Sequence, residues 1–512
     1  MGSTGGVLPP ISMSLSKTQL LATRPSYGCA GLALAAVFLH GYHLGTDDAA
    51  IWVPAIKKAA DPSLYPFGDE FFAIYSHHSL FPFLVGSFVR LTRVPSDVVI
   101  FLCHVLGVFL LLLAGWRLLS ACFEHNYACW AGVTLLAGVL SVPVAGTALP
   151  IMDPYLTSRS LSTPFALFAI AWYLLGRPRR AMAWLGACAL VHCQMSVYAA
   201  ALLGSLELSR RRVPVPEAVP VFGFLMLSWL PLPWDLEPAT GAAREALLSR
   251  TYFFVSNWTW YEWLGIAAPL IILLSCSMRV QIRGARPPLG DLARNLVRFG
   301  LFFTAAGLLL VASPRLENYT RLQPMRAFHL VYVVFFLITG ALIGEYVLRD
   351  RPWRWFALFA PLAVGMGLCS LEAFPRSPHV EWPGARPQGD WNAAFLWVRD
   401  HTPKDAVFAL DPGYLLLPGE DMHGFRAIAE RSALADRVKD SGAVSLFPQL
   451  AFDWDQQVRT QKGWDRFSLD DFQQVARRYP VTWIVTRLPA IAGLDCPFRN
   501  ATVEVCRIGS GR

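Results

Sequence analysis

Two adjacent carboxylates, Asp47 and Asp48, lie in the sequence Gly-Thr-Asp-Asp-Ala-Ala-Ile-Trp, directly after the first apolar segment. A carboxylate can act as a general base, and this acid pair could take the proton of an acceptor hydroxyl that meets a lipid-bound donor at the membrane surface. The following residues, Ala49 to Ala60, carry apolar side chains at helical spacing and predict a surface helix. A second reading stays open, because Thr46 or either aspartate could simply cap that helix.

A second polar cluster precedes a late apolar segment and contains Arg315, Arg321, Gln323, Arg326 and His329. Arginine pairs bidentately with phosphate oxygens, so Arg321 and Arg326 are candidate ligands of a lipid phosphate. The alternative is that these arginines reach towards lipid headgroups, or pair with Glu317 or with the C-terminal part of the chain. Both readings predict that the cluster lies at a membrane surface.

Further candidates are Asp153 and Arg159, which could add an acid and a phosphate contact, although Ser160 and Ser162 nearby are also candidate helix caps. His192 and Gln194 lie inside a long apolar block, where polar groups are costly and often line a substrate path. A satisfied hydrogen bond at a turn would explain them equally. We therefore treat Asp153, His192, Gln194, Gln323 and His329 as candidate substrate-lining residues.

The elements that position these residues are apolar segments. Of the 512 residues, 54% are hydrophobic and only 16% are charged, and mean hydropathy is +0.41. Because about 20 apolar residues span a bilayer as a helix, the composition predicts a polytopic membrane protein and excludes an ordinary cytosolic enzyme. The candidate segments are 27–45, 80–92, 98–120, 127–146, 161–176, 181–208, 214–233, 261–278, 298–313, 327–347 and 353–372.

Basic loops fix the orientation that we predict. Loops near residues 177–180, 210–212, 279–286 and 349–354 are rich in arginine and read as cytoplasmic, as does the amino-terminal segment 1–26. The first loop (residues 46–79) and the loops near 147–160, 234–258 and 314–326 then lie on the outer face. Segment 181–208 is too long for one span, so we expect it to fold back around His192 to Ser196. With residues 80–92 not crossing, about eleven spans remain.

After residue 372 the composition changes to a Pro-, Arg- and Gly-rich linker and then to alternating helix and strand patterns. We predict helices at 391–401 and 469–479, strands at 406–410, 481–486 and 502–508, and thus a small α/β domain over 373–512, outside the cytoplasm. Cys496 and Cys506 could form a disulfide that closes the last hairpin or stay reduced. The predicted fold is therefore a mostly α-helical membrane bundle over 27–372 with this α/β domain attached.

The net charge of +8 reflects these loop arginines, so we expect no nucleic-acid partner. No cofactor is indicated. A divalent metal ion could bind the acidic residues, but no spacing typical of a metal site points to one.

The chain resembles the multi-spanning glycosyltransferases of the GT-C superfamily in its acidic first loop, the helix after it and the C-terminal domain. It is more closely similar to a poorly characterised group of bacterial polytopic proteins. The matching motifs are the acidic run into Ala-Ile-Trp-Val-Pro-Ala-Ile-Lys-Lys, then Asp-Pro-Ser-Leu-Tyr-Pro and Gln-Pro-Met-Arg-Ala-Phe-His, at residues 47–58, 61–66 and 323–329.

The resemblance implies an inverting transferase of the bacterial inner membrane that moves a sugar from a polyprenyl phosphate to a glycan, lipid or protein acceptor. In that mechanism Asp48, in preference to Asp47, is the base, while Arg321, Arg326 and Arg159 bind the donor phosphate. Two other classes stay open, namely a transporter or flippase, and a non-catalytic membrane assembly protein that keeps the GT-C-like fold.

Overall fold

The chain up to residue 373 forms a bundle of α-helices in a computed structural model, which describes residues 25–211, 238–278, 282–385, 389–489 and 491–508. The helices of this part are α1 Pro25–His40, α2 Ala49–Ala60, α3 Glu70–Ala73, α4 Phe81–Thr92, α5 Ser96–Cys122, α6 Asn126–Gly138, α7 Arg159–Leu174, α8 Pro178–Val191, α9 Cys193–Arg210, α10 Gly241–Leu248, α11 Trp260–Met278, α12 Pro288–Val311, α13 Phe328–Ile343 and α14 Pro352–Ala373. Two 3₁₀ turns, Pro314–Leu322 and Pro324–Ala327, lead into α13.

Within the described residues, five helical segments are long and apolar enough to cross a membrane: Ser96–Cys122, Trp260–Met278, Pro288–Val311, Pro314–Leu348 and Pro352–Ala373. The helices α1 and α4 are apolar but shorter. The predicted count of about eleven spans is therefore not confirmed, and the predicted segment 214–233 lies outside the described residues. The protein is therefore a mostly helical membrane protein, and the number of its spans stays a prediction.

The long apolar block 181–208 breaks where the sequence predicts. Helix α8 ends at Val191, α9 begins at Cys193, and His192 between them has extended backbone angles of φ −155° and ψ 100°. The carbonyl groups of Leu190 and Val191, at the end of α8, accept hydrogen bonds from Leu80 N and Ser79 Oγ. The segment therefore folds as two helices, with His192 at the turn.

The C-terminal α/β unit (residues 389–508) contains helices α15 Asp390–His401, α16 Phe425–Ala429, α17 Lys439–Leu446, α18 Ala451–Thr460 and α19 Leu469–Arg478, and strands β1 Val407–Leu410, β2 Ser432–Ala433, β3 Trp483–Arg487, β4 Asp495–Arg499 and β5 Val503–Arg507. The sheet order is β2-β1-β3-β5-β4, with β2, β1 and β3 parallel and β5 antiparallel to both β3 and β4. The predicted α/β character and the predicted helices and strands are present.

Alternation along the strands gives this sheet two buried faces. Phe408 and Leu410 of β1 share a core with helix α15, whereas Val407 and Ala409 share one with Phe472 of α19. This is the expected result of the two-residue period of a strand. Cys496 and Cys506 form a disulfide that closes the last hairpin, which decides between the two alternatives that the sequence leaves open.

Helix α2, predicted to lie on the membrane surface, is largely enclosed. Its residues Ile51, Trp52, Val53 and Ile56 are buried. It packs against α4 on one side and α16 of the C-terminal α/β unit on the other. The C-terminal unit folds over the first loop and covers the helix, while its predicted place at the membrane surface stays a prediction.

Close backbone contact joins these two parts. Gly424 N donates a hydrogen bond to Gly45 O at 2.8 Å, and Asp47 N donates one to Met422 O at 3.3 Å. A Cβ on Gly424 would come within 2.4 Å of the Ala50 Cβ, so only glycine fits there. The acid pair is therefore held directly against the C-terminal unit.

Candidate functional site

The acid pair occupies the turn between the first apolar helix and α2. Asp47 has a left-handed backbone (φ 47°) and Gly45 has φ 80°, and this turn precedes the first residue of α2, Ala49. Asp48 occupies the cap position of α2 but its side chain makes no capping hydrogen bond. The capping interpretation therefore does not account for the Asp48 carboxylate, which points to other partners.

Those partners come from two other regions of the chain. Arg159 Nη2 lies 3.0 Å from Asp48 Oδ2 and 2.9 Å from Asp153 Oδ2, so it bridges two carboxylates. The Tyr155 hydroxyl donates to Asp47 Oδ2 at 2.9 Å. Lys439 Nζ, from the C-terminal unit, contacts Asp47 Oδ1 and lies 3.3 Å from Asp48 Oδ1. The site is thus built by the first loop, the 147–160 loop and the C-terminal unit together.

The charges around the acid pair decide its protonation. Burial would raise the pKa of the Asp48 carboxyl, but Lys439, Arg159 and Arg326 outweigh burial and lower that pKa well below its ordinary value. Burial raises the pKa of Asp153, and the neighbouring acid pair adds to this rise against the opposing effect of Arg159. Asp48 is therefore a fixed negative charge, while Asp153 binds a proton more readily.

Arg326 faces this charge from the other cluster. It interacts electrostatically with Asp48, and its guanidinium lies 5.5 Å from the ring centroid of Tyr252. Within the described part of the chain, Arg326 Nε, Gln323 Oε1 and His329 Nδ1 are buried without a hydrogen-bond partner. Buried polar atoms normally have partners, so these three atoms mark a place where a polar ligand would be favourable.

The structure brings most predicted residues to this place. His192 interacts electrostatically with Arg159, Arg326 and Asp48, and His329 uses its Nε2 atom for a 2.9 Å contact with Ile151 O. The loops that contribute these residues therefore lie close together, and the described residues 238–258 add Tyr252. Their common location on the outer face stays a prediction.

Two predicted residues are engaged by other protein groups instead. Arg321 donates to Asn318 O at 2.6 Å and to Asn318 Oδ1 at 2.9 Å, within its own 3₁₀ turn. Gln194 Nε2 donates to Tyr198 Oη and to Leu322 O, both at 3.0 Å. Gln194 thus has the satisfied hydrogen bonds of the alternative reading, and the phosphate-binding role of Arg321 stays a prediction.

Sequence reasoning missed Lys439, Tyr155 and Tyr75. Tyr75 of the first loop interacts electrostatically with Asp48 and Arg326 and packs edge-on against Phe447 of the C-terminal unit. None of the three belongs to a motif with recognisable spacing. Only the position of Tyr155 within the already selected 152–164 stretch could have pointed to it.

The acidic residues also bear on metal binding. Arg159 and Lys439 contact the oxygens of Asp47, Asp48 and Asp153, so a divalent ion at the acid pair would have to displace these cations. A different group with suitable geometry, Cys496, Glu504 and Cys506, lies in the α/β unit, but both of its sulfurs form the disulfide. The described residues therefore offer no ready set of metal ligands.

No protein-family model matches the chain, and no curated protein matches it. Among solved structures, the chain is similar to the oligosaccharyltransferase of Archaeoglobus fulgidus, described as tethered by a disulfide to an acceptor peptide containing the NVT sequon. The identity is 12%, the match covers 91% of this chain and 69% of the archaeal one, and the TM-score is 0.41. A similarity of this size says nothing about substrate or activity, which have to be inferred from the site.

Proposed function

We propose that the protein is a membrane glycosyltransferase that moves a sugar from a polyprenyl-phosphate donor to an acceptor hydroxyl at the outer face of the membrane. The observation that supports this best is that Arg326, whose buried Nε has no partner among the described residues, lies near enough to the charged Asp48 carboxylate to lower its pKa. Such a site can bind an acceptor hydroxyl on one side and a phosphate on the other.

In the reaction, the acceptor hydroxyl attacks the anomeric carbon of the donor sugar and inverts its configuration. The bond between that carbon and the phosphate oxygen breaks, and its electron pair leaves with the polyprenyl phosphate. Arg326 stabilises the developing phosphate dianion, because a preorganised cation acts where the charge develops. The hydroxyl proton passes to a carboxylate of the acid pair. Gln323 and His329 offer further polar atoms to the phosphate or sugar.

The two aspartates are suited to different parts of this task. The Asp48 side chain is 29% exposed and tied to Arg159, whereas the Asp47 side chain is 46% exposed. We keep Asp48 as the proposed base, in line with the resemblance to the GT-C superfamily. Asp47 is the second candidate, because its greater exposure lets an acceptor hydroxyl reach it.

A non-catalytic assembly role is the second candidate function. It is favoured by the ion pairs that already neutralise the acid pair, since Arg159 and Lys439 together match its charge. An internally satisfied network of this kind is also what a purely structural junction between two parts of a protein would need.

The test is to reconstitute the purified protein in vesicles that contain radiolabelled polyprenyl-phosphate mannose or polyprenyl-phosphate glucose, with a membrane extract as the source of acceptors. We expect release of polyprenyl phosphate together with transfer of label. Asp48→Asn should abolish both, while Asp61→Asn, which alters an exposed carboxylate of the same loop, should leave both unchanged. Equal transfer by the wild type and Asp48→Asn would rule out this site.

A further inference from the structure

Lys439 places a cation of the C-terminal unit inside the candidate active site. It is the first residue of α17, and its side chain is only 9% exposed. Its ammonium contacts one oxygen of each aspartate of the acid pair. The ammonium is a compact charge with three donors, so one lysine can hold both carboxylates at once.

The backbone beneath this lysine is fixed by a buried acidic network. Lys439 N donates to Asp436 Oδ1 at 2.6 Å, and Asp436 N donates to Asp440 Oδ2 at 2.9 Å. The other oxygen of Asp440 accepts from Arg426 at 2.8 Å. Burial and the nearby Asp440 raise the pKa of Asp436 to about 6. This network determines where Lys439 begins its helix and therefore where its ammonium reaches.

A loop of the bundle supports the same helix from the other side. Arg250 Nη2 donates to Ser441 Oγ at 2.6 Å and also to Val438 O, on either side of Lys439. Helix α10 packs against α17. The backbone around Lys439 is therefore held both by its own C-terminal unit and by Arg250 of the bundle. This keeps the ammonium close to the acid pair.

We propose that Lys439 is a positioning residue, which holds Asp47 and Asp48 as charged, fixed carboxylates and so makes the site complete only when the C-terminal unit is docked on the first loop. The expected effect of Lys439 on turnover rests on the proposed function, whereas its expected effect on the protonation of the acid pair does not. Lys439 acts through the carboxylates and does not itself touch the reacting atoms.

Other charged and titratable groups also face the acid pair: Tyr75, Asp153, Tyr155, Arg159, His192, Arg250 and Arg326. Arg159 is the second direct cation, and it divides its charge between Asp48 and Asp153. Lys439 touches both aspartates of the pair, so its removal should affect Asp47 as well as Asp48. This distinguishes its contribution from that of Arg159.

The chain offers a matched control. Lys404 is likewise a lysine of the C-terminal unit that pairs with an aspartate of the first loop, with Nζ 2.8 Å from Asp61 Oδ2. That pair is exposed, at 62% for the lysine and 40% for the aspartate. Lys404→Gln therefore removes the same charge from the same interface without touching the acid pair.

The experiment measures carboxylate protonation directly in the full-length protein. Carbodiimides label protonated carboxyl groups, and mass spectrometry locates the label. At about pH 4, where an ordinary aspartate is half protonated, we expect Asp48 of the wild type to resist labelling. Lys439→Gln should raise labelling of the acid pair several-fold, and Lys439→Arg should restore resistance. Lys404→Gln should raise labelling at Asp61 only.

Turnover is then measured against pH with the polyprenyl-phosphate sugar that the wild type uses best. We expect Lys439→Gln to lower kcat roughly tenfold or more and to move the acid limb of the profile to higher pH. Lys439→Arg should recover most of both. Protease sensitivity of the linker near residues 374–389 reports docking, so a loss of docking is recognised separately.

The outcomes separate the two proposals. If no transfer occurs in the wild type, the proposed function fails, while the labelling of Asp47 and Asp48 still decides the role of Lys439. If the docked Lys439→Gln protein labels like the wild type, the positioning role is wrong. A wild-type Asp48 that labels like an ordinary aspartate overturns the proposal even if Lys439→Gln does not fold.

Discussion

Lys57 and Lys439 cross the same interface between the first loop and the C-terminal unit, but in opposite directions. Lys57 of α2 reaches into the C-terminal unit and is 2% exposed, with Nζ 2.9 Å from Asp97 Oδ1, 2.9 Å from Glu430 Oε1 and 3.0 Å from Ala427 O. Lys439 extends from the C-terminal unit into the first loop, where its ammonium contacts the carboxylates of Asp47 and Asp48.

The difference lies in what surrounds each ammonium. The three N–H donors of the Lys57 ammonium contact three acceptors, so all of its hydrogen bonds are satisfied within the protein. We infer that this contact stabilises the fold. The acceptors of Lys439 also bind Arg159 and Tyr155 and face Arg326, whose Nε lacks a partner among the described residues. The contact around Lys439 can therefore still bind a ligand. This capacity distinguishes a binding site from an ion pair that only stabilises the fold.

The largest expected effect comes from removing one carboxylate at each junction. Asp48→Asn should lower the transfer rate by about 10²- to 10⁴-fold, the usual contribution of a general base, with little change in unfolding temperature. Asp97→Asn should lower the unfolding temperature but keep most of kcat. Transfer assays and thermal unfolding in detergent measure both. If both variants lose activity and stability in the same proportion, the distinction between a catalytic contact at Asp48 and a stabilising contact at Asp97 is wrong.

The next effect concerns Lys57 itself. Lys57→Ala removes the ammonium that lies 2.9 Å from both Asp97 and Glu430, and it leaves Asp97 with Arg399, 3.8 Å away. Removing one partner of a buried ion pair costs at most on the order of 3–5 kcal/mol of folding free energy. The control is its neighbour Lys58, which pairs with Asp69 at 2.7 Å while 29% exposed. Lys58→Ala should cost at most about 1 kcal/mol. Equal losses of stability for the two variants would contradict the structural role of Lys57.

A smaller effect separates two arginines of the same cluster. Arg326→Gln should raise KM for the polyprenyl-phosphate donor about 10- to 100-fold, since it removes a charge-assisted contact with the phosphate. Arg321→Gln should change KM little, because Arg321 is engaged by Asn318. Steady-state kinetics with varied donor measure both. A larger effect from Arg321 than from Arg326 would favour Arg321, which the sequence also predicts, as the main phosphate ligand.

The smallest effect depends on pH at a third contact of the interface. Glu381 accepts from His423 Nε2 at 2.7 Å and from Leu44 N at 2.9 Å. Burial opposes ionisation, but His423 and His43 outweigh it and lower the pKa of Glu381 to about 2. This pKa lies below the value of about 4.3 that a glutamate has in the unfolded chain. The ionised Glu381 therefore stabilises the folded protein above about pH 4.3, and this contribution is lost as the pH falls towards 2.

Glu381→Gln should therefore be less stable than the wild type near pH 6, and the gap should narrow between about pH 4 and pH 2. Unfolding temperatures measured across this range give the gap directly. A constant difference would mean that the carboxylate does not change its protonation with folding.

Much of the candidate site could be predicted because its residues belong to local sequence patterns. The acid pair, Arg159 and Arg326 stand out as charges in an apolar sequence, and the topology required their loops to meet. Lys439 could not be found this way. It lies 392 positions from Asp47, in a stretch with no motif, and only the docking of the C-terminal unit gives it meaning.

The fold was predictable in the C-terminal unit, where strand and helix periods differ, and less so in the bundle. Segment 127–146 illustrates the reason. Its helix ends at Gly138, and the apolar residues that follow form a partly buried irregular turn in which Pro143 pairs with Pro150. Hydropathy reports burial and does not distinguish a buried helix from a buried loop. The predicted segment 127–146 is therefore longer than its helix.

The glycine contact between Gly45 and Gly424 has a consequence for engineering. The backbone of the acid pair and the backbone of the C-terminal unit were shaped together, to a tolerance smaller than one methyl group. A C-terminal unit taken from another protein would need a glycine at this point, and a lysine fifteen positions further on, before it could be exchanged as a cassette. The last quarter of the chain and the first loop therefore have to be exchanged together, although hundreds of residues separate them in the sequence.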